Sequence, residues 1–334
     1  MARQSRLFPA WAHPPQEYHE ALTLRLPKAI EAMRHERYRY SAEWMLRDEH
    51  PKQLEEVLRY PAHFWTRHIR RSKSGKETFV WSPTETLRNL QMSATIAFFP
   101  RAENRRIATA FGPGCSIIGN AKPHRKNRSS FRIDIQDAFP SITTNHISAY
   151  LVRKDVDKNL AWILARLWTY RGRLEQGAPV APYIFNAMLE RLDLDLLAAL
   201  TEGFVYTRYS DDMCFSCRDD KFPAELEGVI RSIVEAHGFR INAKKTRRGR
   251  GGIVDLPGVV IKEGRVRPNG TYRKKLQEGW RFLLPKQIAG HRSYVSSFGH
   301  SGDLRVLRPL IGNRTKSRRQ LSEEAYWRNM QQKS

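Results

Sequence analysis

Val205-Tyr206-Thr207-Arg208-Tyr209-Ser210-Asp211-Asp212-Met213-Cys214-Phe215-Ser216 sets two adjacent carboxylates between runs of apolar and β-branched residues. The flanks read as two short strands, and Ser210-Asp211-Asp212 as the tight turn between them. Neighbouring carboxylates repel each other. A turn tolerates them if it faces water, or if a divalent cation lies between them. The dipeptide alone favours the solvated turn, so the rest of the chain has to decide.

Upstream, Phe131-Arg132-Ile133-Asp134-Ile135 reads as a short apolar strand closing on a carboxylate. A turn over 138–142 leads to a helix beginning near Thr143 or Thr144, and a further helix covers 158–170. The Pro/Gly-rich loop 176–182 opens a long helical run, 183–200. Past the hairpin come a helix over 223–237, a strand over 239–242 and one strand over 256–261. This order predicts an α+β fold built on an antiparallel βαββ sheet with its helices on one face. In such a sheet the end of the first strand lies beside the hairpin turn, which gathers Asp134, Asp211 and Asp212 around one point. Three carboxylates so placed are the expected ligands of two Mg²⁺ ions, with Mn²⁺ as a substitute. Such an ion pair clamps the attacking and leaving oxygens of an in-line phosphoryl displacement.

Toward the N-terminus, 1–27 reads as an extended arm or short leading helix. An amphipathic helix is expected over 27–48 and a second over 51–60. Residues 63–82 read as a β-hairpin whose basic tip, Ser72-Lys73-Ser74-Gly75-Lys76, is either a solvated loop or a phosphate-reaching finger. A helix over 83–99 and an irregular stretch over 101–130 follow.

The 334 residues carry 58 Lys+Arg against 34 Asp+Glu, a net charge of +24 that implies a polyanionic partner, nucleic acid before membrane. No stretch has the length and apolarity of a membrane span, and the N-terminus lacks a signal peptide's apolar core. Three cysteines point to a reducing compartment. Cys214 and Cys217 have CxxC spacing, but with no second pair they read as strand packing rather than a metal or redox site.

At this point the chain resembles the reverse transcriptases. Asp134-Ile135-Gln136-Asp137-Ala138-Phe139 is similar to their motif A, Gln176 to Pro182 with Asn186 to motif B, Tyr209 to Asp212 to motif C, and Gly238 through Asn242 to Lys245-Thr246 to motif D. Ala181 stands where motif B usually has Ser. The resemblance implies a right-hand polymerase: a helical extension over 1–60, fingers over 61–130 with part of 143–175, a palm over 131–262, and a helical basic thumb over 263–334. It implies Asp134, Asp211, Asp212 and the Ile135 carbonyl as metal ligands. It makes Asp137, Ala138, Phe139, Gln176 and Lys245 the dNTP pocket, with Arg71 and Lys73 closing on the triphosphate and Lys76 as a further candidate. Phe139 would exclude a ribose 2′-hydroxyl.

Gly119-Asn120-Ala121-Lys122-Pro123-His124 resembles the Asn-Ala-x-x-His element of bacterial retron reverse transcriptases. Their Val-Thr-Gly corresponds to Leu256-Pro257-Gly258, where only the glycine agrees. The retron resemblance implies a cytoplasmic bacterial enzyme that copies part of a structured non-coding RNA, which serves as template and primer, into a branched RNA–DNA hybrid, in anti-phage defence with an effector protein. Asn120, His124, Arg273, Lys274 and Lys275 are then candidate RNA contacts, with a buried hydrogen-bonded histidine as the other reading of His124. The basic runs 265–286 and 305–319 read as an RNA-gripping thumb or as a solvated face. Two other functions compete: a template-independent polymerase of the abortive-infection type, and an idle nucleic-acid-binding module.

Overall fold

The computed structural model describes residues 14–35, 50–71, 75, 77–99, 106–112, 114–272, 274 and 294. In chain order the strands are β1 (Trp65–Arg71), β2 (Glu77–Pro83), β3 (Ser129–Asp134), β4 (Thr169–Tyr170), β5 (Arg173–Leu174), β6 (Val205–Tyr209), β7 (Asp212–Cys217), β8 (Arg247–Gly249), β9 (Ile253–Leu256), β10 (Val259–Lys262) and β11 (Arg265–Pro268). Contacts divide the chain into two compact units: 1–105 with 135–196 and 233–240, and 106–134 with 197–232 and 241–334. The chain passes repeatedly between them.

The first unit is mostly helical. Its central helix, Lys158–Trp168, buries Leu160, Ala161, Ile163, Leu164, Ala165, Leu167 and Trp168, an apolar surface too wide for an outer helix. The helix Gln16–Arg34 carries Leu22, Leu26, Ala29 and Met33 as one buried stripe. It therefore begins well before the expected Pro27 and runs through that proline. An interior proline costs about 3 kcal/mol. Burying a single leucine recovers about 1.5–3 kcal/mol, so the continuous stripe outweighs it. The next helix, His50–Arg59, matches expectation. The hairpin β1–β2 pairs Trp65 with Pro83 through Arg71 with Glu77, and its helix starts at Glu85 rather than at the proline. The expected run 183–200 is two helices, Ala181–Met188 and Glu190–Ala198, separated at the buried Leu189.

The second unit holds an antiparallel four-stranded sheet in the order β6-β7-β3-β8 and a three-stranded sheet in the order β11-β10-β9. The stretch 101–130 is less irregular than expected: the short helix Ile117–Ala121 and the 3-10 turn Lys122–Lys126 lie in it. The expected strand 256–261 is a hairpin. Pro257-Gly258 turns the chain between β9 and β10, with Gly258 at φ +72°, a conformation that favours glycine. Residues 239–242 do not form the expected strand either. Asn242 donates its N–H to the Asp134 carbonyl, and its own carbonyl accepts from the N–H groups of Lys245 and Thr246. That turn delays the edge strand to β8. Arg231 and Arg248 lie 5.2 and 5.5 Å from the Phe131 ring, and Arg248 is ion-paired with Glu227 on the helix Ala224–Ala236.

Candidate active site

Asp134 is the last residue of β3 and Asp212 the first of β7. The antiparallel register sets them directly opposite each other. Asp212 also pairs with Tyr209, so the turn contains only Ser210 and Asp211 rather than three residues. Two-residue hairpins need a positive φ, and Ser210 supplies it at +60°. A non-glycine residue there costs of order 1 kcal/mol, so surrounding contacts must hold it. One of them is Arg208, fully buried, whose Nη1 donates to the Ser210 carbonyl at 3.1 Å.

Asp134, Asp211 and Asp212 each offer an oxygen within 4.8 Å of the others. Asp134 is nearly buried; its Oδ2 accepts from Lys245 Nζ at 2.8 Å, while its Oδ1 is buried without a hydrogen-bond partner. Burial pushes the Asp212 carboxyl up to about 6, with Arg132 opposing the rise and Asp211 and Asp134 adding to it. Burial also raises Asp211, helped by repulsion from Asp134. The hydrogen bond to Asp134 holds Lys245 above the usual range. Three clustered carboxylates, with raised proton affinity at Asp211 and Asp212 and an unpartnered buried oxygen on Asp134, fit a hard divalent cation, whose ligands are oxygens.

Arg132 and Asp255 were not anticipated. Arg132 lies two residues before Asp134 and so on the same face of β3. Its guanidinium is 4.0 Å from Asp212 and 3.4 Å from Asp255 Oδ2 on β9. Strand alternation could have marked Arg132. No local signal could have marked Asp255, which arrives from the other sheet.

The remaining expected pocket residues belong to the first unit. Phe139 stacks on Phe185 with ring centroids 4.7 Å apart and is almost buried. Ala138 and Ile135 are buried, whereas Asp137 is exposed at φ +48° before the short helix Ala138–Ser141. Gln176 is exposed. Gly177 lies so close to the Trp81 carbonyl that a Cβ would collide with it. Arg71 is exposed and donates to Glu77 Oε1 at 2.8 Å, while Lys73 and Lys76 fall outside the described residues.

For the RNA contacts, Arg273 and Lys275 fall outside the described residues, and Lys274 is exposed. Asn120 and His124 require a correction. Both are buried within the second unit, His124 completely, so neither offers a surface to RNA. Burial also pushes the His124 imidazole down to about 3. Cys214 and Cys217 are buried free thiols, as strand packing requires.

A family model for reverse transcriptase (RNA-dependent DNA polymerase) matches residues 86–283, more than half the chain. The chain belongs to the reverse transcriptase family. By family it is an RNA-dependent DNA polymerase, and the curated proteins it is similar to include retron reverse transcriptases. It is 29% identical over 227 residues to the retron Ec86 reverse transcriptase of Escherichia coli, spanning 66% of this chain and 70% of that one. It is 32% identical over 209 residues to the retron Mx65 reverse transcriptase of Myxococcus xanthus, spanning 57% of this chain but 49% of that one. Among solved structures it is similar to a telomerase from Candida albicans (TM-score 0.42, 11% identity, 78% of this chain and 59% of that one). A foamy viral protease-reverse transcriptase gives TM-score 0.42 at 16% identity, with 78% and 43% covered. Among the described residues, no helix is long and apolar enough to cross a membrane.

Proposed function

We propose that this reverse transcriptase copies part of a structured non-coding RNA into DNA joined to that RNA as a branched hybrid, using the RNA as template and primer, in retron anti-phage defence with an effector protein. The observation that carries the polymerase reading is the convergence of Asp134, Asp211 and Asp212 within 4.8 Å, with Lys245 on Asp134. Asp134, Asp211 and Asp212, with the Ile135 carbonyl, would hold two divalent cations, Mg²⁺ by preference for carboxylate and phosphate oxygens. When bound, they would supply Lewis acidity toward a primer hydroxyl and positive charge toward a pyrophosphate leaving group.

The protein's own groups do the rest. Lys245 offers an ammonium that can leave Asp134 for the triphosphate and donate a proton to the departing pyrophosphate. Phe139, backed by Phe185, forms a wall at the sugar that leaves no room for a 2′-hydroxyl. Asp137, Ala138 and Gln176 line the rest of the nucleotide pocket, and Arg71 and Lys73 close on the phosphates. In the right-hand arrangement, β1–β2 belongs to the fingers, the four-stranded sheet to the palm, and the basic segment containing Arg273, Lys274 and Lys275 to an RNA-gripping thumb. The proposed setting is the bacterial cytoplasm.

Primer extension with Mg²⁺ and dNTPs tests the reading. Wild-type protein should extend a DNA primer on an RNA template, and Asp211→Ala with Asp212→Ala should reduce incorporation at least a thousandfold. Equal incorporation by the two would overturn it. Sequencing the nucleic acid that co-purifies with the protein should return a branched RNA–DNA species; unbranched cellular RNA alone would reject the retron part.

A further inference from the structure

The segment 116–127 sits against the hairpin that carries the paired carboxylates. The buried His124 ring reaches both strands: Nε2 lies 2.8 Å from Thr207 Oγ1 on β6, and Nδ1 lies 2.6 Å from Ser216 Oγ on β7. Asn127 Nδ2 donates to the same Ser216 hydroxyl at 2.6 Å. Thr207 faces Cys214 in the ladder and Ser216 faces Val205, so the ring ties the two strands together on a diagonal.

Asn120 acts nearer the turn. Its Oδ1 accepts from the Thr109 hydroxyl at 2.8 Å, and that hydroxyl also lies 3.0 Å from the Arg208 carbonyl. Thr109 N–H donates to the Arg208 carbonyl at 2.9 Å, and Arg208 N–H donates to the Ile107 carbonyl at 2.8 Å. Arg208 in turn holds the Ser210 carbonyl. Asp211 and Asp212 follow immediately.

We propose that Asn120, His124 and Asn127, acting through Thr109, Thr207, Arg208 and Ser216, form a clamp that positions the Asp211–Asp212 turn against Asp134. These are positioning residues for nucleotide transfer, not RNA contacts. Among the described residues β6 is the edge strand of its sheet, next to β7, with only the isolated bridge of Ala108 to Arg208 on its other side. It also leads into a strained serine, and a strained residue persists only where its surroundings over-determine it. The clamp supplies that second set of contacts. A buried neutral imidazole with both nitrogens engaged fixes two strands at once, and hydroxyl partners can serve as donor or acceptor to either tautomer.

The inference rests on the polymerase reading, so its test has one arm independent of activity. His124→Ala, Asn120→Ala and the conservative His124→Gln are compared with Ile230→Ala, which removes a fully buried side chain of the same unit, carried by the helix Ala224–Ala236. Temperatures are chosen so that all variants have equal global stability. In hydrogen–deuterium exchange, His124→Ala and Asn120→Ala should speed exchange over 205–217 at least tenfold beyond Ile230→Ala, with His124→Gln between them and wild type. In primer extension on a generic homopolymer RNA template, His124→Ala should lower kcat at least tenfold. Its KM for dNTP and its Kd for the co-purifying RNA should each move less than twofold. Equal exchange in the His124 and Ile230 variants overturns the clamp, and so does an unchanged kcat with a tenfold weaker RNA Kd. If wild type itself extends no primer, the polymerase reading has failed and the exchange arm alone decides the clamp.

Discussion

At the scale of single residues, the site is held together by opposed charges in a half-buried place. Lys245 occupies one oxygen of Asp134 and leaves the other bare. Removing the ammonium with Lys245→Met should have two separable effects. Mn²⁺ binding to the nucleic-acid-free protein, read by electron paramagnetic resonance, should tighten, because a competing cation is gone. Nucleotide incorporation should fall tenfold or more, because the triphosphate loses a charge partner. Loss of both together would mean that Lys245 merely supports the fold. A second residue-scale effect concerns Gly177. Its neighbour is the Trp81 backbone carbonyl, which cannot swing aside as a side-chain tip could. Gly177→Ala should therefore cost about 1–3 kcal/mol through overpacking. A loss of that size lowers Tm by several degrees, measurable by calorimetry. The glycine of the Gln-Gly pair thus has a packing reason, while the exposed Gln176 beside it has none.

At the scale of elements, the catalytic hairpin depends on its neighbour. His124 is neutral in the fold, with its imidazole pushed down to about 3 by burial. An unfolded histidine titrates near 6.5. The unfolded chain therefore binds the extra proton first, and stability from the buried neutral ring is complete above about pH 6.5 and lost as pH falls toward 3. The slope is about 1.4 kcal/mol per pH unit in that window. Thermal melts of wild type between pH 7 and pH 5 should show this acid loss, and His124→Gln should flatten it. A parallel fall in both proteins would mean that other groups carry the acid sensitivity. At this scale burial also overrides local sequence signals. Pro27 looked like a helix start, yet the stripe from Leu22 to Met33 passes through it. Leu256 to Ile261 reads as one strand because apolar residues flank the turn-forming Pro257-Gly258 on both sides.

At the scale of the whole molecule, the dominant fact is charge. A net +24 makes nucleic-acid affinity largely a matter of phosphate contacts and released counterions. With about six contacts to single-stranded phosphates, the slope of log affinity against log salt would be about −4. RNA binding by filter retention should then weaken by roughly two orders of magnitude between about 50 and 200 mM salt. A flat salt response would indicate that the basic residues face solvent. The chain spans 70% of its Escherichia coli relative and 49% of its Myxococcus xanthus relative. Residues 86–283, which the family model matches, contain all three site carboxylates, Lys245 and the clamp.

The sequence by itself determined the family. A carboxylate pair, a third aspartate upstream, a Gly-containing loop and a lysine, in that order of motifs, carry the resemblance to the reverse transcriptases, because each motif needs its own residue type and spacing. It also determined most strands and helices near the site, since local periodicity follows directly from which faces are buried. Only the tertiary structure decided which residues support the carboxylates. Arg132 meets Asp212 across the β3–β7 pairing and Asp255 from the other sheet, and His124 meets the hairpin directly and Asn120 through Thr109, across loop closures of some ninety residues. An Asn-Ala-x-x-His stretch has the same composition whether its side chains point to RNA or into a core. Burial is a property of what packs on top, and no local pattern in the chain records it.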